Sequence, residues 1–210
     1  MPRIFHRILA FGDSITLGGD ASTKERAWIN RLCQWLEECQ GAPVHLINRA
    51  VGGSVISPQS SAYAPSRKPS GRERVDEAIL DWPDPDLILV GYGFNDARGG
   101  APVEEFLANL RSLLDAIRTR SSAPILLLGP YPTSDRFGYG AEWSHASESV
   151  LEGFHQGITD LAAERGYLRT DVLTPMSEGE GLLAADGVHP NDAGHLLIAT
   201  QVYRSLVAMR

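Results

Sequence analysis

Short apolar runs along the chain alternate with longer stretches in which apolar residues recur every three or four positions. This alternation predicts repeated strand and helix units, and therefore a parallel sheet in an α/β fold. The predicted strands are short and mostly apolar, as strands buried on both faces should be. They span residues 8–11, 44–48, 87–92 and 125–129, with a weaker strand at 167–171.

The stretches of helical period predict five amphipathic helices, at residues 27–39, 72–82, 102–120, 147–165 and 192–209. Stop signals follow two of them, because Gly41 comes after the first helix and Pro83 and Pro85 come after the second. Segments 57–71 and 131–143 are rich in Pro, Ser, Gly or aromatic residues and are predicted to be long loops. Long loops in a compact domain are often functional.

Composition narrows the class of protein. With 210 residues, 43% of them hydrophobic, we expect a single domain over residues 1–210. A net charge of -7, without a cluster of Lys or Arg, argues against a nucleic-acid or anionic-membrane partner and favours a neutral ligand. The sequence shows no signal-peptide core and no membrane span. Cys33 and Cys39 are too far apart on one predicted helix for a disulfide, which fits a reducing compartment, so we expect a cytoplasmic protein.

Ser14 directly follows the first predicted strand, in the sequence Phe-Gly-Asp-Ser-Ile-Thr. Ligands of open α/β sheets bind at the carboxyl ends of strands, so this position favours a functional serine. A helix N-cap is the structural alternative, and it would be preferred if Ser14 stood alone.

Asp186 and His189 lie three residues apart near the other end of the chain. A serine hydroxyl needs a base, and the base needs a partner that fixes its tautomer and stabilises its charged form. Asp186 and His189 can supply both, although an Asp-Gly turn before a helix cap explains the same residues structurally.

Two further residues that can donate a hydrogen bond follow predicted strands: Gly53 after the second and Asn95 after the third. With the backbone N–H of Ser14, the Gly53 N–H and the Asn95 amide would form donors for the negative oxygen that develops during acyl transfer. Each is individually more common in a turn or at a helix start.

These residues together resemble the SGNH, or GDSL-type, hydrolases, whose name comes from four sequence blocks containing Ser, Gly, Asn and His. Residues 12–14, 48–53, 93–96 and 186–190 match the four blocks in order. One departure is Ala50, where many members carry glycine. The resemblance implies a serine esterase with catalytic Ser14, Asp186 and His189.

The resemblance also implies a three-layer α/β/α sandwich, with a five-stranded parallel sheet of flavodoxin-like order 2-1-3-4-5. In that order strands 2, 1 and 3 are neighbours, so Gly53, Ser14 and Asn95 would converge at the switch point in strand order. Strand 5 would lie about 14 Å from strand 1, at roughly 4.8 Å per strand, and the segment 172–185 can cross that distance.

Substrate identity depends on the loops. Aromatic residues near the expected mouth could stack on a sugar or wall a short acyl pocket, and we expect the substrate-binding residues to be Asp13, Tyr92, Phe94, Tyr131 and Trp143. Tyr63, Phe137 and Tyr139 lie in the same segments. We expect short acyl esters, acetyl esters above all and carbohydrate acetyl esters by analogy with the family; a thioesterase or a longer-chain lipase or lysophospholipase is the alternative.

Two other interpretations start from the same residues. Asp186, His189, Asp192 and His195 repeat at three-residue spacing and could hold a metal, although no HExxH or CxxC pattern supports this. A flavodoxin-like binding module for a nucleotide or flavin would use the same switch point, but it needs no Ser, Asp and His together and no Walker or GxGxxG loop is present. We therefore expect no cofactor and no metal, and homo-oligomer formation is left open.

Overall fold

The structure, a computed structural model, describes residues 4–82, 84–134 and 139–208. A five-stranded sheet of order β2-β1-β3-β4-β5 runs through these residues, and each pair of neighbouring strands is parallel. The predicted fold and strand order are confirmed. The strands are β1 (Arg7–Gly12), β2 (His45–Asn48), β3 (Leu87–Gly91), β4 (Ile125–Leu128) and β5 (Leu168–Arg169).

Five long helices lie where the helical period predicts them, with bounds that agree within one or two residues. They are α2 (Trp28–Gln40), α4 (Gly71–Asp81), α6 (Val103–Arg118), α7 (Glu148–Arg165) and α9 (Asp192–Val207). Pro83 and Met209, which marked two predicted helix ends, lie outside the described residues. Pro102 was predicted to be helical, but it is the N-cap of α6, a position where its missing N–H costs no helical hydrogen bond.

Four short helices lie in segments that the sequence predicted only as connections. They are α1 (Ser14–Leu17), α3 (Tyr63–Ser66), α5 (Phe94–Arg98) and α8 (Leu173–Glu178). The segments 57–71 and 172–185 are therefore partly helical. Helices of four to six residues are too short to show a periodic apolar pattern, which is why the sequence did not indicate them.

The alternation of side chains along the strands divides the core into two layers. Leu9, Phe11, Ile88 and Val90 point to one face, where they pack with residues of α4, α6 and α7. Ile8, Ala10, Leu87 and Leu89 point to the other face, where they pack with residues of α2 and α9. Helices therefore cover both faces, and the three-layer prediction is confirmed.

The strand register brings the carboxyl ends of β1 and β3 together, because Gly12 lies opposite Gly91. The chain enters α1 directly after β1 and α5 shortly after β3, and the loop after β2 starts one strand away. All three connections leave the same edge of the sheet. In the described part of the chain, no helix is both long enough and apolar enough to cross a membrane.

Candidate active site

Ser14 is the first residue of α1 and is half-buried. Asp13 is the N-cap, and its Oδ1 accepts a hydrogen bond from the backbone N–H of Ile15 at 3.0 Å. The N-cap interpretation therefore belongs to Asp13 rather than to Ser14. The first N–H groups of a helix have no carbonyl partner within it. The turn consequently leaves both the hydroxyl and the N–H of Ser14 available.

His189 reaches Ser14 from the other end of the chain. Its Nε2 lies 2.8 Å from Ser14 Oγ, and its Nδ1 lies 2.5 Å from Asp186 Oδ2. A histidine that donates from Nδ1 to a carboxylate can accept the serine proton at Nε2. The structure thus brings the three residues singled out in the sequence into one hydrogen-bonded chain.

Asp186 and His189 occupy a small closed turn. An antiparallel bridge joins Leu183 to Pro190, and the backbone N–H of Ala184 donates to the carbonyl of His189 at 2.8 Å. The Asp-Gly turn predicted as the structural alternative is also present, with Gly187 at a φ of 68°. The turn and the hydrogen-bonded chain coexist, because the turn is what places Asp186 beside His189.

Hydrogen-bond donors surround the Asp186 carboxylate. Its Oδ1 accepts the backbone N–H groups of Val188 at 2.9 Å and His189 at 3.0 Å, and its Oδ2 accepts the Tyr139 hydroxyl at 2.7 Å. Burial raises the pKa of Asp186, but these hydrogen bonds outweigh it and hold the pKa well below its usual range. Asp186 is therefore ionised at neutral pH.

Gly53 and Asn95 lie on the loops that flank Ser14. The loop between β2 and α3 contains Gly52 and Gly53 and is called the glycine loop here. A Cβ placed on Gly52 would lie 3.8 Å from Ser14 Cβ, so this loop runs beside the serine. Gly53 has a φ of 75°, a conformation that favours glycine. Within residues 4–82, 84–134 and 139–208, the N–H groups of Ser14 and Gly53 donate no hydrogen bond.

Asn95 is buried in α5, and its side-chain amide donates to the carbonyl of Ser54 at 3.1 Å. The next residue, Asp96, is also buried and accepts from the Ser60 hydroxyl at 2.8 Å and from the backbone N–H of Ile56. Helix α5 therefore holds the glycine loop through two side chains. Only one hydrogen of the Asn95 amide is needed for Ser54, and the other can bind an oxygen.

Four of the five expected substrate-binding residues lie in the protein interior, contrary to the prediction. Asp13, Tyr92, Phe94 and Tyr131 are each no more than 3% exposed. Tyr92 receives a hydrogen bond from Arg74, and the Phe94 and Tyr131 rings pack edge to face. Their side chains pack inward because the residues after buried strands start within the core, so they do not line an open mouth.

Aromatic residues at the surface lie instead around Arg98. Its guanidinium lies 4.9 Å from the centre of the Tyr139 ring and 5.8 Å from that of the half-buried Trp143. Trp143 is thus the one member of the expected set with an accessible ring. Tyr63 bonds Glu73 through its hydroxyl, and Phe137 lies outside the described residues.

Of the four residues of the metal interpretation, Asp186 and His189 come together, but Asp192 and His195 do not join them. Asp192 instead accepts hydrogen bonds from Ser22 and Arg26, and the two ring nitrogens of buried His195 bond the Gly19 carbonyl and the Trp28 N–H. In the described part of the chain, a different group of potential ligand atoms lies within 4.8 Å: those of Asp20, Asp186 and His189. Asp20 had no motif context in the sequence.

Comparison with known proteins gives a consistent result. Residues 10–197 match the model of the GDSL-like Lipase/Acylhydrolase family. An arylesterase from Vibrio mimicus is 24% identical over 203 residues, which cover 96% of this chain and 88% of that protein.

Two solved structures share the fold. The psychrotrophic esterase EstA from Pseudoalteromonas sp., inhibited by monoethylphosphonate, superposes with a TM-score of 0.70 at 21% identity and covers 96% of each chain. A mutant of an acetyl-xylooligosaccharide esterase from Geobacillus Stearmophilus gives a TM-score of 0.70 at 20% identity, over 96% of this chain and 94% of the other. At this level of identity the likeness concerns the fold.

Proposed function

We propose, from the premise that this chain belongs to the GDSL-like lipase/acylhydrolase family, that Ser14, His189 and Asp186 are the catalytic triad of an esterase acting on short acyl esters. The family match confirms the resemblance to SGNH hydrolases, and it makes the protein a serine esterase whose substrates are small-molecule esters. The triad and the acyl group are our inferences.

One observation carries the proposal: an unbroken line of contacts from a serine hydroxyl to a carboxylate, across 175 positions of sequence between Ser14 and His189. Residues so distant in sequence meet at 2.8 Å only if the fold places them there. The Asp186 carboxylate is ionised and fixed by backbone donors, so it can hold the imidazole in the tautomer that leaves Nε2 free to accept a proton.

The reaction then follows from the contacts. His189 Nε2 takes the proton of Ser14 Oγ while this oxygen bonds the ester carbonyl carbon. Collapse of the tetrahedral intermediate breaks the bond to the alcohol oxygen, which receives the proton from His189. A water molecule, deprotonated by His189, then attacks the acyl carbon. Collapse of this second tetrahedral intermediate breaks the bond to Ser14 Oγ, which takes the proton back from His189 as the acid is released.

The charge on the carbonyl oxygen needs donors that are fixed before the reaction. The N–H groups of Ser14 and Gly53 have no hydrogen-bond acceptor in the described residues, and the Asn95 amide has one hydrogen to spare. We assign these three groups to the oxyanion hole. Their loops are fixed by Asp13, Asn95 and Asp96, so little rearrangement is required.

The preference for short acyl groups is supported by where open space lies. A cavity of about 1320 Å³ is lined by residues of α7, α8 and the turn before Asp186, including Leu151, Met176 and Leu182. Ser14 and His189 are not among its lining residues. The turn that carries Asp186 borders this cavity through Ala185 and Gly187, and an acetyl group on Ser14 does not need the cavity.

Two of the similar proteins have names that fit the same range of substrates. One is named an arylesterase and the other an acetyl-xylooligosaccharide esterase. We therefore expect acetyl and other short acyl esters, with an aromatic or sugar alcohol portion. The accessible aromatic rings for such an alcohol among the described residues near Arg98 are Tyr139 and Trp143.

Hydrolysis of p-nitrophenyl acetate by a Ser14→Ala variant tests the triad. We expect kcat to fall at least about 10⁴-fold with unchanged thermal unfolding, because the nucleophile is lost and the fold is kept. Ser112→Ala, at an exposed position of α6, is the matched control and should retain full activity. A Ser14→Ala variant that keeps more than a tenth of the activity would reject the assignment.

A series of p-nitrophenyl esters tests the acyl group. We expect kcat/KM to be highest for acetyl to butyryl esters and to fall for octanoyl and longer chains. A maximum at long chains would assign the cavity beyond Asp186 to the acyl group instead and would support a lipase. Equal or faster turnover of acyl thioesters would support a thioesterase.

A further inference from the structure

The loop after α1 turns back toward His189. A Cβ placed on Gly19 would lie only 3.0 Å from His189 Cδ2, so the loop backbone packs against the imidazole ring. The next residue, Asp20, places its Oδ2 3.0 Å from His189 Nδ1. Two carboxylates therefore face the same ring nitrogen, Asp186 at 2.5 Å and Asp20 at 3.0 Å.

The backbone conformation of Asp20 is costly. Its φ is 62°, in the left-handed region that residues other than glycine adopt at a cost of about 1 kcal/mol or more. Glycine would fit this position without that cost, and the two preceding residues are glycines.

Hydrogen bonds to helix α9 hold the loop in place. His195 Nε2 lies 2.9 Å from the Gly19 carbonyl, and the backbone N–H of Trp28 donates to the other ring nitrogen of His195. Two residues beyond Asp20, the N–H and hydroxyl of Ser22 donate to Asp192 at 2.9 and 2.7 Å. Helix α9 thus fixes the loop on both sides of Asp20.

The two carboxylates differ in how many donors they already have. Asp186 accepts two backbone N–H groups and the Tyr139 hydroxyl in addition to His189. Asp20, with a side chain 49% exposed, has His189 as its ion-pair partner among the described residues. When His189 takes the serine proton, the negative charge of Asp20 therefore lies beside the imidazolium in addition to that of Asp186.

We propose that Asp20 is a second acidic positioning residue of the triad, whose carboxylate lies beside His189 Nδ1 as an ion-pair partner and partly replaces the charge of Asp186 when Asp186 is neutralised. This inference rests on the proposed role of His189 as the base. The two carboxylates are then partly redundant. Neutralising both should lower kcat/KM by more than the product of the two single losses.

A double-mutant cycle of Asp20→Asn, Asp186→Asn and the combined variant tests this redundancy. We expect kcat/KM for p-nitrophenyl acetate to fall about 3- to 10-fold for Asp20→Asn alone and about 100-fold or more for the same change in the Asp186→Asn background. Equal factors in the two backgrounds, or no loss in either, would overturn the proposal. A structural role alone would lower activity equally in both.

Asp84→Asn is the matched control. Asp84 is exposed and has a φ of 57°, close to that of Asp20, but it lies in the connection before β3, at the opposite end of the sheet. We expect its replacement to leave kcat/KM unchanged in both backgrounds. Asp20→Gly is the second variant, because it removes the carboxylate and relaxes the backbone; it should lose activity like Asp20→Asn while unfolding at the same or a higher temperature.

The pH profile of kcat/KM gives an independent readout. Removing a negative charge beside Nδ1 makes protonation of His189 less favourable, so the acid limb of the Asp20→Asn profile should move to lower pH. An acid limb that stays in place would contradict the proposal. Among the described residues, Asp13, Asp186 and His195 also interact with His189, Tyr139 binds Asp186, and all of them remain in the variant.

Ser14→Ala separates this inference from the proposed function. If Ser14→Ala and His189→Ala remain active, the triad itself fails whatever Asp20 does. If both are inactive but the Asp20 cycle shows no synergy, the triad stands and only the second acid is rejected.

Discussion

The Asp186 turn and the interior beneath Ser14 hold carboxylates in opposite ways, although both belong to the same edge of the sheet. Asp186 is only partly buried, and donors hold its pKa well below the usual range. Asp96 is fully buried, and burial raises its pKa to about 7 despite hydrogen bonds from Ser60 and Ile56. Asp13, also buried, has its pKa raised to about 6 by the same cause.

This difference shows that burial alone does not produce a charged catalytic group. Charge persists where several donors converge on a carboxylate that keeps some contact with water, as at Asp186. Where the carboxyl group is withdrawn from water, it becomes a structural acceptor that fixes a loop, as Asp13 does for Ile15 and Asp96 for Ile56. The two regions should therefore respond differently to the same substitution of Asp by Asn.

Asp186→Asn should give the largest effect of this comparison. We expect kcat/KM to fall by about 10²–10³-fold, because the imidazolium loses its closest counter-charge. Thermal unfolding should change little, since the Asn carbonyl can still accept the backbone N–H groups of Val188 and His189. Steady-state kinetics and a melting curve check both points; full activity would remove Asp186 from the triad.

Asn95→Ala should be next in size. We expect kcat to fall about 10²-fold because an oxyanion donor is lost, with a destabilisation of about 1 kcal/mol from the lost bond to Ser54. Asn109→Ala, which removes a buried amide from α6, is the control: it should destabilise the fold and keep kcat. If the two variants lose the same fraction of kcat, Asn95 has no role beyond packing.

Asp96→Asn should act on stability rather than on catalysis. Its folded-state pKa of about 7 lies above the unfolded value, so its contribution to stability is present below pH about 4 and is lost as pH rises through about 7. Between pH 5 and pH 8, the free energy of unfolding should therefore fall by roughly 1–3 kcal/mol less in the variant than in the wild type. Urea unfolding at both pH values measures this, with exposed Asp160→Asn as control.

Tyr139→Phe should give the smallest effect. It removes one of the donors to Asp186, and we expect kcat/KM to fall about 2- to 5-fold because the two backbone donors remain. Tyr203→Phe, on the outer part of α9, should leave kcat/KM unchanged. A loss as large as that of Asp186→Asn would mean that the hydroxyl takes part in the reaction itself.

The fold and the residues of the candidate site could be predicted from the sequence to different degrees. Strands such as Leu87–Gly91 and helices such as Trp28–Gln40 follow from local apolar patterns and agree within one or two residues. Ser14, Asp186 and His189 stood out because each carries chemistry in a recognisable block. Their convergence needed the strand order, which the family resemblance implied.

The rest depends on tertiary contacts that no local pattern encodes. Whether Tyr92 and Tyr131 face the core or a mouth is decided by the helices packed over the strand ends, so aromatic character alone misplaced them. Asp20 could not be identified because its position depends on a left-handed backbone and on the distant anchors His195 and Asp192. Such contacts become visible only when the chain is folded.

Labelling with a serine-reactive fluorophosphonate, followed by mass mapping of the adduct, tests the central claim most directly. We predict a single adduct on Ser14 in the wild type, slowed at least about 10²-fold by His189→Ala, because the hydroxyl reacts only when His189 accepts its proton. An adduct on another serine, or labelling of Ser14 at the same rate without His189, would contradict the account.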